Sequence, residues 1–401
     1  MKSSRGGITA PIGFVAAGLH CGIKKPPGLD LALVLSERPG PIAGVFTTNQ
    51  VTAAPVTVDR AHLAGRIGRV LLVNSGCANV CTGPHGMRAA QEMVRLAADR
   101  FHIPPRQVFI GSTGVIGKPL AIERIRAGFP RLVVRLRRGG GEEAARAIMT
   151  TDTHVKQTAF RQKIGGAVIT IGGMAKGSGM IHPNMATMLA YLSTDAAIAQ
   201  PALQRALRKA VDESFNCISV DGDTSTNDTV LCLANGMAGN RTIQAGSTAF
   251  RAFERLLRAA CENLAHQVCR DGEGVTKFVE IVVTGARHEQ DARRIAQTIA
   301  TSCLVKTALF GEDANWGRVM AAVGRAGAAL KPERISLAFS GVPIYRRGMG
   351  LGAAAERRVA RIFRRKEFRI EVDVGLGTGS SRMWTTDLSY EYVRINASYR
   401  S

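Results

Sequence analysis

The chain has 401 residues, too many for one simple hydrophobic core, which predicts two domains or two intertwined layers. Apolar residues make up 45% and charged residues 21%, as in ordinary globular proteins, and the 44 glycines argue against a plain helical bundle. The net charge of +22 attracts anions, a class that includes nucleic acids, acidic membranes and small carboxylates.

The positive charge is densest in two runs, residues 131–138 and 357–369. Neither run interleaves the aromatic residues that a base-stacking surface uses, and aromatic residues make up only 5% of the chain. The sequence also lacks helix-turn-helix, zinc-finger and RNA-recognition signatures. We therefore expect solvated basic faces and no nucleic-acid partner, with a basic nucleic-acid-binding protein as an open alternative.

The first part of the chain predicts strands separated by glycine and proline, followed by a strand, a helix and another strand. The helix rests on Ala90, Val94, Ala97 and Phe101, which recur at helical spacing. A loop at 137–143 precedes a short helix that ends at Met149. The predicted strands are GITAPIGFVAAGLHCGI (7–23), LDLALVLS (29–36), IAGVFTTN (42–49), APVTV (54–58), RVLLVNSG (69–76) and QVFIGSTGVIG (107–117).

The second part predicts an amphipathic helix over QPALQRALRKAVDESF, with Pro201 in its first turn, and a longer helix from Phe250 to Val268. Strands return at FVEIVVTG (278–285), RISLAFSG (334–341) and FRIEVDVGLG (368–377), with a helix around 292–300. Strands and helices alternate too irregularly for a Rossmann-like repeat. The predicted fold class is therefore layered α/β.

Eight cysteines are scattered without CxxC spacing, and several lie in apolar or helical runs, as buried free thiols do. The chain starts without an apolar targeting segment, and no run reaches transmembrane length. We therefore expect a cytoplasmic protein with no membrane partner.

One glycine-rich loop is a candidate catalytic segment. It contains Gly173, Gly177 and Gly179 around Lys176, and it runs through a Pro-Asn pair into Thr187 and an apolar segment. On spacing alone, Thr187 is a helix cap or a packed side chain, and Lys176 is a solvated loop lysine. Local pattern therefore does not identify a nucleophile.

The same segment, KGSGMIHPNMATMLAYLSTDA, closely resembles the signature of the ornithine acetyltransferases, also called bifunctional glutamate N-acetyltransferases, of arginine biosynthesis. Further motifs occur in the family's order from about residue 7 to the C-terminus. They are GFVAAGLHCGIKK, VFTTNQVTAAPV, NSGCANVCTG, STGVIG, IMTTDTHVK, VDGDTSTNDT, DGEGVTK, LFGEDANWGR and EYVRINASY. The resemblance implies a layered α/β sandwich of the ornithine acetyltransferase and self-processing aminopeptidase type, not a Rossmann fold.

The resemblance also implies autocatalytic cleavage between Ala186 and Thr187. The products would be an alpha chain, 1–186, and a beta chain, 187–401, extensively packed together in an α2β2 heterotetramer. The freed α-amino group of Thr187 would then activate its own hydroxyl. N-acetylornithine would acetylate Thr187, and glutamate would accept the acetyl group. No cofactor is implied, although some family members also use acetyl-CoA as donor.

Further roles follow from the resemblance, residue by residue. Thr113 and Gly114 correspond to the family's oxyanion pair, although a β-turn is the ordinary interpretation of that segment. Lys176 suits a substrate carboxylate, and we expect Glu273 to accept the ammonium of ornithine. The family's substrate contacts map onto Thr150, Lys176, Thr187, Glu273, Asn396 and Ser401.

The remaining polar residues predict structural roles. The acidic run 221–229 alternates as a calcium loop would, but it lacks the later glutamate of an EF-hand, so we expect a hydrogen-bonding loop and no metal. His182 is expected to make local hydrogen bonds instead of acting as a base. Cys77 and Thr386 depart from the common family pattern, where asparagine and cysteine stand, and are expected to be packing variations.

A second enzyme class stays open beside the acetyltransferase. A self-processing amidase or aminopeptidase would use the same N-terminal threonine with water as the acceptor. Release of free acetate from N-acetylornithine, without acetylglutamate, would favour that alternative.

Overall fold

The structure is a computed structural model that describes residues 1–182 and 188–398. Its strands are β1 (Lys2–Ser3), β2 (Phe14–Leu19), β3 (Leu31–Phe46), β4 (Ile67–Cys77), β5 (Val108–Val115), β6 (Lys156–Ile164), β7 (Ala167–Lys176), β8 (Leu189–Thr194), β9 (Ile218–Ser219), β10 (Thr229–Ala234), β11 (Phe278–Ala286), β12 (Ser336–Phe339), β13 (Val342–Arg346), β14 (Met349–Gly350), β15 (Glu367–Asp373) and β16 (Gly379–Thr386). Its helices are α1 (Ala54–Leu63), α2 (Gly83–Phe101), α3 (Ile122–Val134), α4 (Gly141–Ala147), α5 (Gln200–Asp212), α6 (Thr248–Arg270), α7 (Glu289–Ala300), α8 (Cys303–Phe310), α9 (Trp316–Gly324), α10 (Ala353–Phe363) and α11 (Tyr390–Ser398).

The described residues form two compact units. The first unit comprises 1–177, 188–216 and 223–268, and the second comprises 178–182, 217–222 and 269–398.

The first unit is built on one sheet. Its described strands follow the order β1-β6-β7-β8-β10-β3-β4-β5, with β2 paired to β3 off this path. The long strand β3 joins the two halves, because residues 31–36 pair with β2 and residues 42–46 pair with β10. Most neighbours are antiparallel, while β8 with β10 and β4 with β5 are parallel.

The two halves of this sheet face each other across a core. In the half formed by β2 to β5, strands are apolar on both sides, as expected for strands covered on both faces. Leu33 and Leu72 pack in the cluster that contains residues of α2 and α3. Their neighbours Val34 and Val73 pack in a second cluster that includes Tyr191 of β8. The unit is therefore layered, with helices outside and two sheet halves inside.

The second unit has its own sheet, in the order β14-β13-β12-β15-β11-β16-β9. Amphipathic helices supply one side of its core: Ile295 of α7, Val323 of α9 and Val359 of α10 are fully buried together with Ile281 and Ile370 of the sheet. Because α7 and α10 are amphipathic, each packs its apolar face on the sheet and turns its polar face to solvent.

These observations confirm the predicted layered α/β fold. Mostly antiparallel pairing is incompatible with a Rossmann sheet. The predicted helices at α2, α5 and α6 are confirmed, and the burial of Leu203, Ala206 and Leu207 matches the predicted face of α5. Thiols at Cys77, 232, 261 and 269 are buried, as predicted for part of the cysteine set.

Two strand predictions are wrong. APVTV (54–58) forms the start of α1, because Pro55 fits a first helical turn and the buried Val56 and Asp59 recur at helical spacing. The separate strands expected at 29–36 and 42–49 are one strand, β3, whose pairing with β4 shifts register between Leu35 and Gly40.

Among the residues described, no helix combines the length and the apolar composition needed to cross a bilayer.

Candidate active site

The predicted oxyanion pair lies at the end of β5. Gly114 has φ +130°, and a Cβ there would lie 2.4 Å from the carbonyl carbon of Gly76 on β4. Only glycine fits such a close backbone approach. Thr113 is buried, and its hydroxyl makes no hydrogen bond to any residue that the structure describes. The turn is therefore a tight, glycine-dependent strand end with a hydroxyl available to a ligand.

Asn227, which lies in the acidic run 221–229, holds this turn in place through hydrogen bonds. Its buried amide donates to the carbonyls of Ala78 (2.7 Å) and Ser112 (2.8 Å). The Ser112 hydroxyl donates in turn to Asn74 at 2.6 Å. The expectation of a hydrogen-bonding loop holds for these residues. Across the described ranges, no group of three or more His, Cys, Asp or Glu side chains is placed to hold a metal.

Lys176 ends β7 and is buried beside Asp152. One oxygen of Asp152 accepts from the Lys156 ammonium at 2.6 Å and from the Gly177 amide at 2.8 Å. Its other oxygen accepts from the Thr150 amide at 2.9 Å. Asp152 thus links two predicted substrate contacts: its carboxylate accepts from the half-buried Thr150 and is close enough to the buried Lys176 for a strong electrostatic interaction.

The charges of this cluster set the pKa of Asp152. Burial by itself would raise that pKa, but the ammonium groups of Lys176 and Lys156 outweigh burial and hold it well below its ordinary value. Asp152 is therefore a carboxylate at any physiological pH.

Lys24 adds a further cation. Its ammonium donates to the carbonyls of Leu29 (2.8 Å) and Met149 (2.6 Å), the latter adjacent to Thr150. Burial lowers the pKa of Lys24 to about 8, with Asp30 opposing that shift and Lys176 adding to it. Three ammonium groups near one another make this part of the first unit favourable for a small carboxylate.

Sequence reasoning missed Asp152, Lys156 and Lys24 as site residues. All three lie inside the motifs that carried the resemblance, IMTTDTHVK and GFVAAGLHCGIKK. Charged residues inside the motifs that carry the resemblance were the signal that could have identified them.

The predicted nucleophile and scission site, Thr187 and Ala186, lie outside the described residues, as does Ser401. Met188 is the next described residue; its amide donates to the Asp228 carboxyl at 3.0 Å, and its carbonyl accepts from the Thr229 amide at 3.2 Å. Met188 is therefore held between the acidic run and β8.

Glu273 and Asn396 come together in the second unit. The Asn396 amide donates to the Glu273 carboxylate at 2.9 Å. The Glu273 backbone amide donates to the Ser178 carbonyl at 3.0 Å, and a Cβ on Gly179 would lie 2.3 Å from the Glu273 carboxylate. The carboxylate therefore lies directly on the backbone of the glycine-rich loop.

His182 makes the local contacts that were predicted. Its Nδ1 lies 3.4 Å from the Ser219 hydroxyl, and its Nε2 lies 3.2 Å from the Gln297 amide. Cys77 and Thr386 are both buried, as packing variations would be.

The fold places this protein in the layered α/β class, and its buried polar groups lie at strand ends. A family described as the ArgJ family matches residues 15–401. The arginine biosynthesis bifunctional protein ArgJ of Symbiobacterium thermophilum is 51% identical over 403 residues, covering 100% of both chains. The protein of that name from Geobacter sulfurreducens is 50% identical over 389 residues, covering 97% of this chain and 99% of its own. The chain belongs to the ArgJ family, as the motifs predicted.

A solved structure adds to these relatives. The arginine biosynthesis bifunctional protein argJ from Bacillus halodurans is 42% identical, with a TM-score of 0.50. The match covers 52% of this chain and 97% of the solved chain.

Proposed function

We propose that this protein transfers the acetyl group of N-acetylornithine to glutamate through an acetyl ester on Thr187, within arginine biosynthesis. The relatives of about 50% identity are named arginine biosynthesis bifunctional proteins, and the match spans the whole chain. The single structural observation that carries the proposal is the buried cluster in which Asp152 joins Thr150 to Lys176. The ammonium groups of Lys24, Lys156 and Lys176 in and around this cluster suit the carboxylate that both amino-acid substrates carry.

The proposed chemistry begins with cleavage between Ala186 and Thr187. The amine freed at Thr187 takes the proton of its own hydroxyl, which attacks the acetyl carbonyl. Thr113 and the backbone at Gly114 donate to the oxyanion that develops. Ornithine leaves, glutamate attacks the ester, and N-acetylglutamate forms.

The extent of the solved Bacillus halodurans chain agrees with the length of the proposed second piece. Residues 187–401 of this chain number 215, or 54% of the total, close to the 52% matched by nearly all of that solved chain. A relative whose chain is separated near the same point would give such a match.

The remaining roles complete the proposal. Glu273 accepts the ammonium of ornithine, and Asn396 and Ser401 orient polar substrate groups. No cofactor takes part, acetyl-CoA serves as a second donor, the two pieces assemble as α2β2, and the enzyme acts in the cytoplasm.

Intact mass spectrometry of purified wild-type protein and of Thr187→Ala tests the proposal. We expect two wild-type pieces, 1–186 and 187–401, an acetyl group on the second piece after N-acetylornithine is added, and N-acetylglutamate once glutamate follows. Thr187→Ala should give one uncleaved chain without transfer. Assays with acetyl-CoA in place of N-acetylornithine show whether both donors are used.

Two results would contradict the proposal and indicate one of the alternative functions. Free acetate without N-acetylglutamate would indicate the amidase class. A single full-length wild-type band with salt-sensitive DNA retention would indicate a nucleic-acid-binding protein.

A further inference from the structure

Lys24 is a half-buried lysine of the first unit whose ammonium is only partly satisfied by the protein. Its Nζ donates to the carbonyls of Leu29 at 2.8 Å and Met149 at 2.6 Å. Because an ammonium has three N–H groups, one of them lacks a hydrogen-bond acceptor among the described residues. A cation with an unused donor is a binding group for an anion.

Two other buried lysines show how Lys24 differs from a lysine with a purely structural role. The Lys156 ammonium contacts the Asp152 carboxylate at 2.6 Å. The Lys306 ammonium has three acceptors for its three N–H groups, namely the hydroxyls of Thr385 and Thr386 and the Thr386 carbonyl. Lys24 has neither a carboxylate in contact nor a third acceptor among the residues described.

Asp30 fixes the loop that carries Lys24. Its fully buried carboxylate accepts from the backbone amides of Cys21 at 2.6 Å, Gly22 at 3.1 Å and Lys24 at 3.0 Å. These bonds use the Asp30 oxygens for the backbone, and Asp30 attracts the Lys24 ammonium without accepting a hydrogen bond from it. The loop therefore holds the ammonium in place and leaves its charge for another partner.

The stem of Lys24 lies beside the predicted oxyanion turn. A Cβ on Gly76 would lie 3.0 Å from the Lys24 Cγ. Gly76 pairs with Gly114 in the ladder between β4 and β5, and a Cβ on Gly114 would lie 2.7 Å from the Gly76 Cα. The Lys24 ammonium bonds to Met149, which precedes the predicted substrate contact Thr150. Lys24 thus connects two parts of the first unit that the resemblance assigns to the substrate.

The chemistry of the proposed substrates places a carboxylate beside that turn. Glutamate has one amino group, so the acetyl group that it accepts lies on the α-nitrogen, next to the carbon that bears the α-carboxylate. The acetyl carbonyl carbon and the carboxylate carbon are then roughly 3–4 Å apart. Ornithine has the same α-amino and α-carboxylate groups. An acetyl oxygen bound at Thr113 and Gly114 therefore brings the α-carboxylate close to the same turn.

We propose that, within the function put forward above, Lys24 binds the α-carboxylate that N-acetylornithine and glutamate share. The third N–H of the ammonium donates to a carboxylate oxygen, and this charge-assisted bond fixes the α-carbon relative to the oxyanion turn. Lys24 thereby recognises the part that is common to both substrates, whereas Glu273 recognises the side chain by which they differ.

The protonation of Lys24 is compatible with this role. Burial lowers the pKa of Lys24 to about 8, with Asp30 and Asp152 opposing that shift and Lys176 adding to it. A bound carboxylate raises the pKa again, because it favours the charged form of the lysine. The complex therefore keeps the ammonium form.

The test combines a change in the protein with a change in the ligand. Titration calorimetry of the full chain gives the dissociation constants of ornithine and of 1,4-diaminobutane, which is ornithine without its carboxylate. The variants are Lys24→Met, which removes the ammonium, and Lys25→Met, the matched control. Lys25 is the next residue in the same loop, has the same charge and is exposed. Where 1,4-diaminobutane binds too weakly for calorimetry, its inhibition constant against N-acetylornithine replaces the dissociation constant.

We expect Lys24→Met to weaken ornithine binding by roughly tenfold to a hundredfold, the range for a hydrogen bond to a charged group, and to leave 1,4-diaminobutane binding nearly unchanged. The KM for glutamate should rise by a similar factor, because glutamate has the same α-carboxylate. Lys25→Met should leave all three constants at their wild-type values. A merely structural role would weaken both diamines equally, and this result overturns the inference. An unchanged affinity for ornithine in Lys24→Met, or an equal loss in Lys25→Met, also overturns it.

The remaining outcomes separate this inference from the proposed function. A wild-type protein that neither binds ornithine nor transfers acetyl groups overturns the proposed function, and the inference with it. Normal wild-type transfer with an unchanged ligand preference in Lys24→Met overturns the inference alone. Should Lys24→Met fail to fold, Lys24→Gln decides the matter, since glutamine keeps N–H donors for the two carbonyls but has no charge. Selective loss of ornithine binding in that variant supports the inference, and a wild-type preference contradicts it.

Discussion

A buried lysine is held differently in each unit. In the first unit, the Lys156 ammonium lies 2.6 Å from the Asp152 carboxylate. In the second unit, the described residues that accept from the Lys306 ammonium are all neutral: the Thr385 hydroxyl at 3.3 Å, the Thr386 hydroxyl at 3.0 Å and the Thr386 carbonyl. Lys156 is 1% exposed and Lys306 is 3% exposed, so burial does not distinguish them.

The difference shows that hydrogen bonds to neutral groups do not by themselves offset the free-energy cost of burying a charge. Burial lowers the pKa of Lys306 to about 8, although Cys269, Asp387 and Asp221 oppose that shift from a greater distance. At Asp152 the attraction of two ammonium groups overcomes burial and the pKa falls. Direct contact with an ammonium therefore keeps the Asp152 carboxyl ionised, whereas Lys306, like Lys24, can release a proton in mildly alkaline solution.

The largest effect is expected from removing the carboxylate that balances the buried ammonium groups of the first unit. Asp152→Asn should lower the free energy of unfolding by about 3–5 kcal/mol, because it leaves buried ammonium groups without their carboxylate. Acetyl transfer should be lost with it. Urea unfolding and the transfer assay measure the two effects. Asp99→Asn, which removes a carboxylate from the exposed pair with Arg95, is the control and should leave both unchanged. Equal behaviour of the two variants would show that the cluster is not electrostatically coupled.

An intermediate effect is expected from Lys306 as pH rises. Since its folded pKa is below the value near 10.4 of an unfolded lysine, the unfolded state binds more protons between about pH 8 and 10.4. Wild-type stability should therefore increase over that window relative to Lys306→Met, by about 3 kcal/mol in all. Calorimetric unfolding of both proteins at pH 7.5 and pH 10 measures this, and cysteine ionisation largely cancels in the comparison. Parallel pH profiles would contradict the prediction.

The smallest effect is expected at Glu273, whose carboxylate accepts from the neutral side-chain amide of Asn396. Glu273→Gln should raise the KM for ornithine by roughly tenfold, the value of one charge-assisted hydrogen bond, and leave protein stability near that of the wild type. Steady-state kinetics of the reverse reaction measure it. Glu367→Gln, at the exposed pair with Arg270, is the matched control. An unchanged KM for ornithine would remove Glu273 from the proposed substrate contacts.

Local pattern predicted some of this fold well and some of it poorly. The faces of α2 and α5 followed from apolar spacing alone, because these helices bury one side. Apolar spacing did not predict that β3 is one continuous strand, because its pairing partners decide this. Nor did it predict that 54–58 is helical, because a proline in the first turn of α1 decides this.

The candidate site shows the same division. Thr113, Thr150 and Lys176 were found only through resemblance to a family, because each is unremarkable in its local sequence. Lys24 could not be placed near Thr150 from sequence, since its contact with Met149 joins positions 125 residues apart. The role of Asp152 likewise depends on close packing of β7 against the loop before β6.

The first unit's sheet draws strands from both sides of residues 186 and 187: β8 lies between β7 and β10, and β10 lies between β8 and β3. A chain missing everything after residue 186 would leave β7 and β3 with bare edges, which invite aggregation. Scission would therefore have to follow folding, and neither fragment produced alone should assemble this scaffold. Under the proposed cleavage, the peptide bond between residues 186 and 187 would serve the assembly of this sheet and would be broken only afterwards.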